Sequence, residues 1–347
     1  MFTSQYAGLT QSKGSISIKF NMKKLLLLVL VGFIFMSSCS INKMAMNSIS
    51  DALTGSGSSD VFTGDSDPVL VGEALPFAIK LYETLLAQNP KHQGLILTTG
   101  SLFIMYANAY VQGPAEMLPQ HRYLEKVTEL ERARKLYLRG ADLLYSGLEL
   151  KYPGFSESGQ NGTLESYIAK LKKEDVPVIY WAVAGMLSAY SLDPFNMTLG
   201  VRIPELKFMI EKAYELDPDF NNGAIDDFFI IFYASMPEAM GGNSDLVDHY
   251  FAKAVEKSRG LSASPYVSYA KSVSIPAQDY DTFKEMLETA LAIDPDGDPS
   301  NRLVNILTLQ KAKFLLDNAG LYFIDFGGDW DDWDDWDWED WEWEFEF

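Results

Sequence analysis

Four segments decide the fold: YETLLAQNP at 82–90, YSGLELKYP at 145–153, IEKAYELDP at 210–218 and LETALAIDP at 287–295. Each closes an apolar, periodic run with a proline. Eight residues before that proline stands Tyr82, Tyr145, Ile210 or Leu287; five before it stands Leu85, Leu148, Ala213 or Ala290. Residues three apart share a helix face, so each pair marks a stripe that faces a neighbour. Proline has no N–H for the next helical bond, so the chain must turn there and start an antiparallel partner. The pattern between these stops is helical as well, from Pro68 to Asn318. Within 244–258, Leu246, Val247, Tyr250, Phe251, Ala254 and Val255 recur as adjacent pairs four apart, a broad apolar stripe. Phe283, Met286, Leu287, Ala290 and Leu291 repeat it one element later, and 121–150 reads as one long helix. No convincing set of alternating strands interrupts this pattern. The fold class is all-α.

A small residue at a helix contact, a larger one a turn earlier and a terminal proline match the second helix of a tetratricopeptide (TPR) repeat. The prolines lie 63, 65 and 77 residues apart, roughly twice the ~34 of a simple repeat. Each unit must therefore carry extra helices or long insertions. The expected architecture is an irregular α-solenoid of TPR-like helical hairpins. Such stacks leave a concave surface or central cleft, which is where they bind.

Toward the N-terminus, MKKLLLLVLVGFIFMSSC at 22–39 joins two lysines, an apolar run, two serines and the single cysteine of the chain. A basic start, a short hydrophobic run and small residues form a secretory signal. The run Leu25–Met36 covers 12 residues, short of the ~20 that span a bilayer as a helix. A signal ending at a cysteine resembles the bacterial lipobox, with Met36 where leucine is usual, so lipidation is assigned to Cys39. Translation is expected to start at Met22, leaving 1–21 as an upstream extension and 22–38 as the signal. Residues 39–67, rich in Ser, Gly, Asn and Asp, read as a flexible tether. The helical domain is expected over 68–325, followed by a tail at 326–347. Ser40 in place of aspartate favours the outer membrane by the enteric sorting rule. These signals put the protein in the periplasm, held to a membrane by lipid.

The search for chemistry is mostly negative. Lipidation of Cys39 leaves no thiol nucleophile and no internal disulfide. Formal net charge is −20, and Asp329–Phe347 alone holds seven Asp and four Glu with no base. The remainder is mildly acidic and has no basic stripe, which argues against nucleic-acid binding. His92, His121 and His249 lie far apart, with no H-E-x-x-H, no phosphate loop with a lysine and no G-x-S-x-G elbow. No enzymatic activity, cofactor or metal is expected. Asp226-Asp227 read as helix N-terminal charges that suit the dipole, and MGGN at 240–243 as a turn whose Asn243 or Ser244 caps the next helix. Four residues are cleft candidates. Tyr180 and Trp181 open a helix that is apolar all round, where they fill core or turn polar ends to a cavity. Asn108 and Tyr110 interrupt the apolar run 102–111. For both pairs core packing outweighs a ligand pocket, as it does for Phe228–Tyr233.

MPEAMGGN at 236–243, the helix to Lys257, SYAK at 268–271 and DYDTFKEML at 279–287 are the most specific segments. LAIDP at 291–295, NRLVN at 301–305, AKFLL at 312–316 and the upstream PVIYW at 177–181 accompany them. Together, over roughly residues 70–325, the chain resembles the T component of tripartite ATP-independent periplasmic (TRAP) transporters, the TatT lipoproteins. The resemblance implies an all-helical fold with cryptic TPR units and a lipid-anchored N-terminus. It further implies a homotrimer, a cleft or pore through each protomer, and partnership with the periplasmic solute-binding protein. The expected role is to dock that protein and to bind or hand over a small organic-acid or apolar ligand. No ligand contact of the family is carried over onto this chain. A TPR scaffold lipoprotein of envelope assembly is the alternative. The tail DWDDWDDWDWEDWEWEFEF departs from the family pattern: dense charge opposes packing, and it reads as a disordered acidic segment. Docking to a basic partner surface and strand pairing with an outer-membrane barrel are its other readings.

Overall fold

The computed structural model describes residues 46–55 and 60–324. The expectations placed on 1–21, 22–38, Cys39 and 326–347 lie outside the described residues. Among the described residues 80% are helical and none forms a strand, so the chain is all-α. Helix α1 spans Pro68–Gln88 and α2 Gln93–Tyr106; α3 spans Tyr123–Lys151 and α4 Val176–Ser191. Then follow α5 (Ile203–Leu216), α6 (Ala224–Ser235) and α7 (Val247–Lys257). The last are α8 (Ser264–Tyr269), α9 (Tyr280–Leu291) and α10 (Arg302–Asp317).

The starts and stops follow the local chemistry. Asp67 accepts from the N–H groups of Val69 and Leu70, both at 3.0 Å, and Pro68 supplies the pre-set first residue of α1. Asn243 caps by accepting from Asp245 N–H at 3.1 Å, after the left-handed Gly241. Helices α1, α3 and α5 end two residues before Pro90, Pro153 and Pro218, while α9 stops four before Pro295. The residues eight before each proline, Tyr82, Tyr145, Ile210 and Leu287, are all buried.

Small residues bring the central helices together. A Cβ at Gly140 of α3 would lie 2.7 Å from the Gly100 carbonyl of α2, and one at Gly185 of α4 would lie 2.7 Å from Ile104 Cδ1. These close crossings seat the largest core, in which Tyr137, Leu144, Phe155, Ile179 and Phe229 are essentially inaccessible. Burying each such side chain contributes on the order of 1.5–3 kcal/mol. A second cluster joins α8, α9 and α10 around Phe283, Leu287 and Leu315. Helix α10 also reaches the first elements: Leu303 packs in the cluster of α1, and Arg302 donates to the Gly64 carbonyl at 3.0 Å. Within the stretch read as a tether, residues 46–54 and Asp60–Thr63 are helical. Leu53 and Phe62 pack on the α1 cluster, and Tyr82 donates to the Leu53 carbonyl at 2.8 Å. Composition marked this stretch as flexible, but its few apolar residues have a face to cover.

Residues Gln93–Glu116 form one continuous run that is long and apolar enough to cross a membrane by composition, yet half of it is buried inside the protein. That pattern is a core helix. The run is not uniformly α-helical, and the exception positions the site.

Candidate functional site

Two segments depart from α geometry into the wider π winding: Ala107–Gln112, which continues α2, and Ala270–Ser274, which continues α8. A π segment inserts a residue into the helical register and swings the side chains that follow; such segments concentrate at functional sites. Here they aim polar side chains at one point. Gln112 ends the first segment, and its Nε2 donates to Glu116 Oε1 at 2.7 Å. Its Oε1 accepts from the buried Tyr137 hydroxyl at 2.7 Å, which fixes the amide orientation. Lys271, inside the second segment, donates to Glu116 Oε2 at 2.9 Å. Lys311 of α10 lies 3.1 Å from the same oxygen. Lys126 of α3 donates to the Glu116 main-chain carbonyl at 3.1 Å.

These groups are enclosed by protein but not sealed. Glu116, Lys271 and Lys311 keep 26, 33 and 29% of their side-chain surface accessible. Burial alone would push the Glu116 carboxyl up; Lys311 and Lys271, with Gln112, outweigh it and hold it well below the ordinary carboxylate range. Burial lowers Lys311, the neighbouring Lys271 lowers it further and Glu116 offsets only part, leaving it near 8. The same carboxylate outweighs burial at Lys271 and raises it. One carboxylate therefore serves two cations.

The sequence-derived candidates lie around this cluster without forming one set. Asn108 is exposed on the first π segment; burial raises the Tyr137 hydroxyl, and the Asn108 and Ser188 side chains offset part of that rise. Tyr110 turns the other way, toward α1, where its ring would lie 2.7 Å from a Cβ at Gly72. Its buried hydroxyl has no partner, and burial, with Asp65 and Asp67, pushes it up to about 12. Tyr180 and Trp181 meet edge-on at 5.3 Å, and Tyr180 also packs on Phe220 at 5.2 Å. Both are partly buried against the main core. Burial pushes the Tyr180 hydroxyl well up, and Asp227 adds to it. Among the described residues no hydrogen bond or ring contact joins the Tyr180–Trp181 pair to Asn108 or Tyr110.

Asp226 and Asp227 are more than dipole charges. Asp226 is fully buried, accepting from Lys257 at 2.6 Å and from Tyr214 at 2.9 Å. Asp227 accepts from Ser264 at 2.5 Å, while its Oδ1 is buried without a partner. Burial raises its carboxyl, and Asp226 adds to the shift. Glu116, Lys311 and Tyr137 carried no sequence signal, and Lys271 stood out only within SYAK, with nothing to pair it with Glu116, 155 residues away. A hollow of about 470 Å³ on α9, lined by Asp281, Lys284, Glu285, Glu288, Thr289 and Ala292, has only exposed walls and holds no enclosed polar group. Among the described residues no group of His, Cys, Asp and Glu could hold a metal ion.

Comparison with known proteins gives two findings. A family model described as "TRAP transporter T-component" matches residues 64–323. An uncharacterized protein of Treponema pallidum (strain Nichols) is 35% identical over 304 residues, 83% of this chain and 94% of its own length.

Proposed function

This chain belongs to the TRAP transporter T-component family, and from that premise we propose that it is a helical docking subunit of a TRAP-type system in the bacterial envelope. The observation that carries the reading is the family match, which covers the whole body from 64 to 323. No catalytic family is indicated, so the expected contribution is binding. In this reading Cys39 carries the lipid after removal of the signal at 22–38. Residues 39–67 link it to the domain over 68–325, and the protein stands in the periplasm, on the outer membrane. The helices stack as TPR-like hairpins of an irregular solenoid with a central cleft or pore, in a homotrimer. The trimer docks the periplasmic solute-binding protein and receives or passes on a small ligand. Asn108, Tyr110, Tyr180 and Trp181 are the cleft residues proposed on sequence. What supports the reading is an all-helical chain whose partly open polar cluster lies between distant helices.

The test is a pull-down from native membranes after mild crosslinking, with partners identified by mass. Recovery of a periplasmic solute-binding protein with a trimer of this chain is the expected result. Recovery of barrel-assembly or peptidoglycan proteins alone would sink the reading in favour of an envelope scaffold.

A further inference from the structure

We propose that Lys271 and Lys311, held side by side by Glu116 between the two π segments, form an anion site for the carboxylate of a small organic monoacid. The inference deepens the transport reading and rests on it for the ligand's origin. It also separates the two ligand classes, organic acid and apolar, in favour of the first.

Charge is the first argument. In a chain of net charge −20, three lysines converge on Glu116: Lys271 and Lys311 on one carboxylate oxygen, Lys126 on the main-chain carbonyl. No acid other than Glu116 pairs with any of the three among the described residues. The cluster is therefore a positive spot in a negative protein, and such a spot, enclosed by low-dielectric walls, focuses an anion onto itself.

Unclaimed donors are the second argument. An ammonium carries three N–H donors, and Lys271 and Lys311 each have one acceptor, the shared Glu116 Oε2. Neither side chain is closed off: about one-third of each remains accessible. A purely structural pair would be matched one to one and closed, because an unpaired enclosed cation costs free energy. Third, the surroundings suit an organic acid. Tyr322 lies within electrostatic reach of Lys271 and Glu116 and packs, partly buried, on the α8–α10 cluster, so the two cations border apolar surface. The helical framework holds the donors through the Tyr137–Gln112–Glu116 chain of hydrogen bonds, so the site exists before the ligand arrives.

The experiment is calorimetric titration of the purified full-length protein with benzoate and with butyrate, using benzamide as the neutral control. Saturable binding of at least one carboxylate, one per chain, with no binding of benzamide, is expected. K311M should weaken it at least tenfold. E116Q, checked for native helicity and titrated at pH 6 to keep Lys311 protonated, should strengthen it, because the competing internal carboxylate is gone. Affinity should fall as pH rises through about 8, where Lys311 gives up its proton; Lys271 and Glu116 face it directly, and Lys126 and Tyr322 lie around Glu116. No saturable binding of either acid to wild type and to folded E116Q would overturn the proposal. So would equal binding of benzamide, or unchanged binding by K311M. Crosslinking to the solute-binding protein reads the transport role separately, so failure of one leaves the other standing.

Discussion

Two clusters of buried charge in this molecule are built from the same residue types and balanced differently. Between α6 and α7, Lys257 meets Asp226 at 2.6 Å, and its other hydrogens go to the Pro218 carbonyl at 2.7 Å and the Tyr214 hydroxyl at 3.3 Å. Tyr214 returns a bond to Asp226 at 2.9 Å, and its ring lies 4.7 Å under the Lys257 ammonium. Asp226 has no accessible surface. At the π segments, one carboxylate faces two ammonium groups, and all three side chains stay partly accessible. The first cluster ties two helices together and has nothing left to offer. The second keeps donors and charge in reserve. An ion cluster that is neutral and closed stabilises the fold; one that is unbalanced and open is disposed to bind.

This contrast orders the expected effects of substitution. D226A strips a fully buried partner and leaves Lys257 uncompensated, which costs about 3–5 kcal/mol; urea unfolding measures it, and a loss below ~1 kcal/mol would erase the distinction. E116Q removes an acceptor from charged donors that water still reaches, so the loss should stay near ~1–2 kcal/mol. Y137F leaves the Gln112 oxygen without its donor and should cost about 1 kcal/mol by the same measurement. K311M removes a cation that burial and Lys271 disfavour in the folded state, so at neutral pH stability should hold or rise. Its signature is the pH profile. Lys311 is pushed from an ordinary 10.5 down to about 8, so between those values the unfolded chain binds more protons than the folded one. Stability carried by this group therefore rises with pH across that window and is flat below it. Comparing wild type with K311M by thermal unfolding from pH 7.5 to 10 isolates this contribution, which should be absent from the variant.

The parts of the fold that sequence revealed are those governed by local chemistry. Asp67 before Pro68, the prolines after α1, α3 and α5, and the Asn243 turn each act over a few residues. Apolar spacing showed which face of α9 is buried, because Phe283, Leu287 and Ala290 repeat at helical intervals. The π segments escaped detection, since an apolar run such as 102–111 has the same composition in either winding. Asp226 and Asp227 could be placed at a helix start, but their partners Lys257 and Ser264 come from later helices. The Glu116–Lys271–Lys311 cluster was least legible of all. An ion pair across 155 residues leaves no periodicity and no spacing, and only the packing of α10 beside the first and last elements brings it together.

The most direct test of the unbalanced cluster is NMR titration of lysine side chains in full-length protein carrying ¹³C at lysine Cε, assigned by the resonance missing from K311M. The Lys311 signal should titrate near pH 8 in the free protein and move to higher pH when benzoate is added, because a bound carboxylate supplies the missing counter-charge. A Lys311 signal that titrates with the ordinary lysines near 10.5, and does not respond to benzoate, would contradict the account.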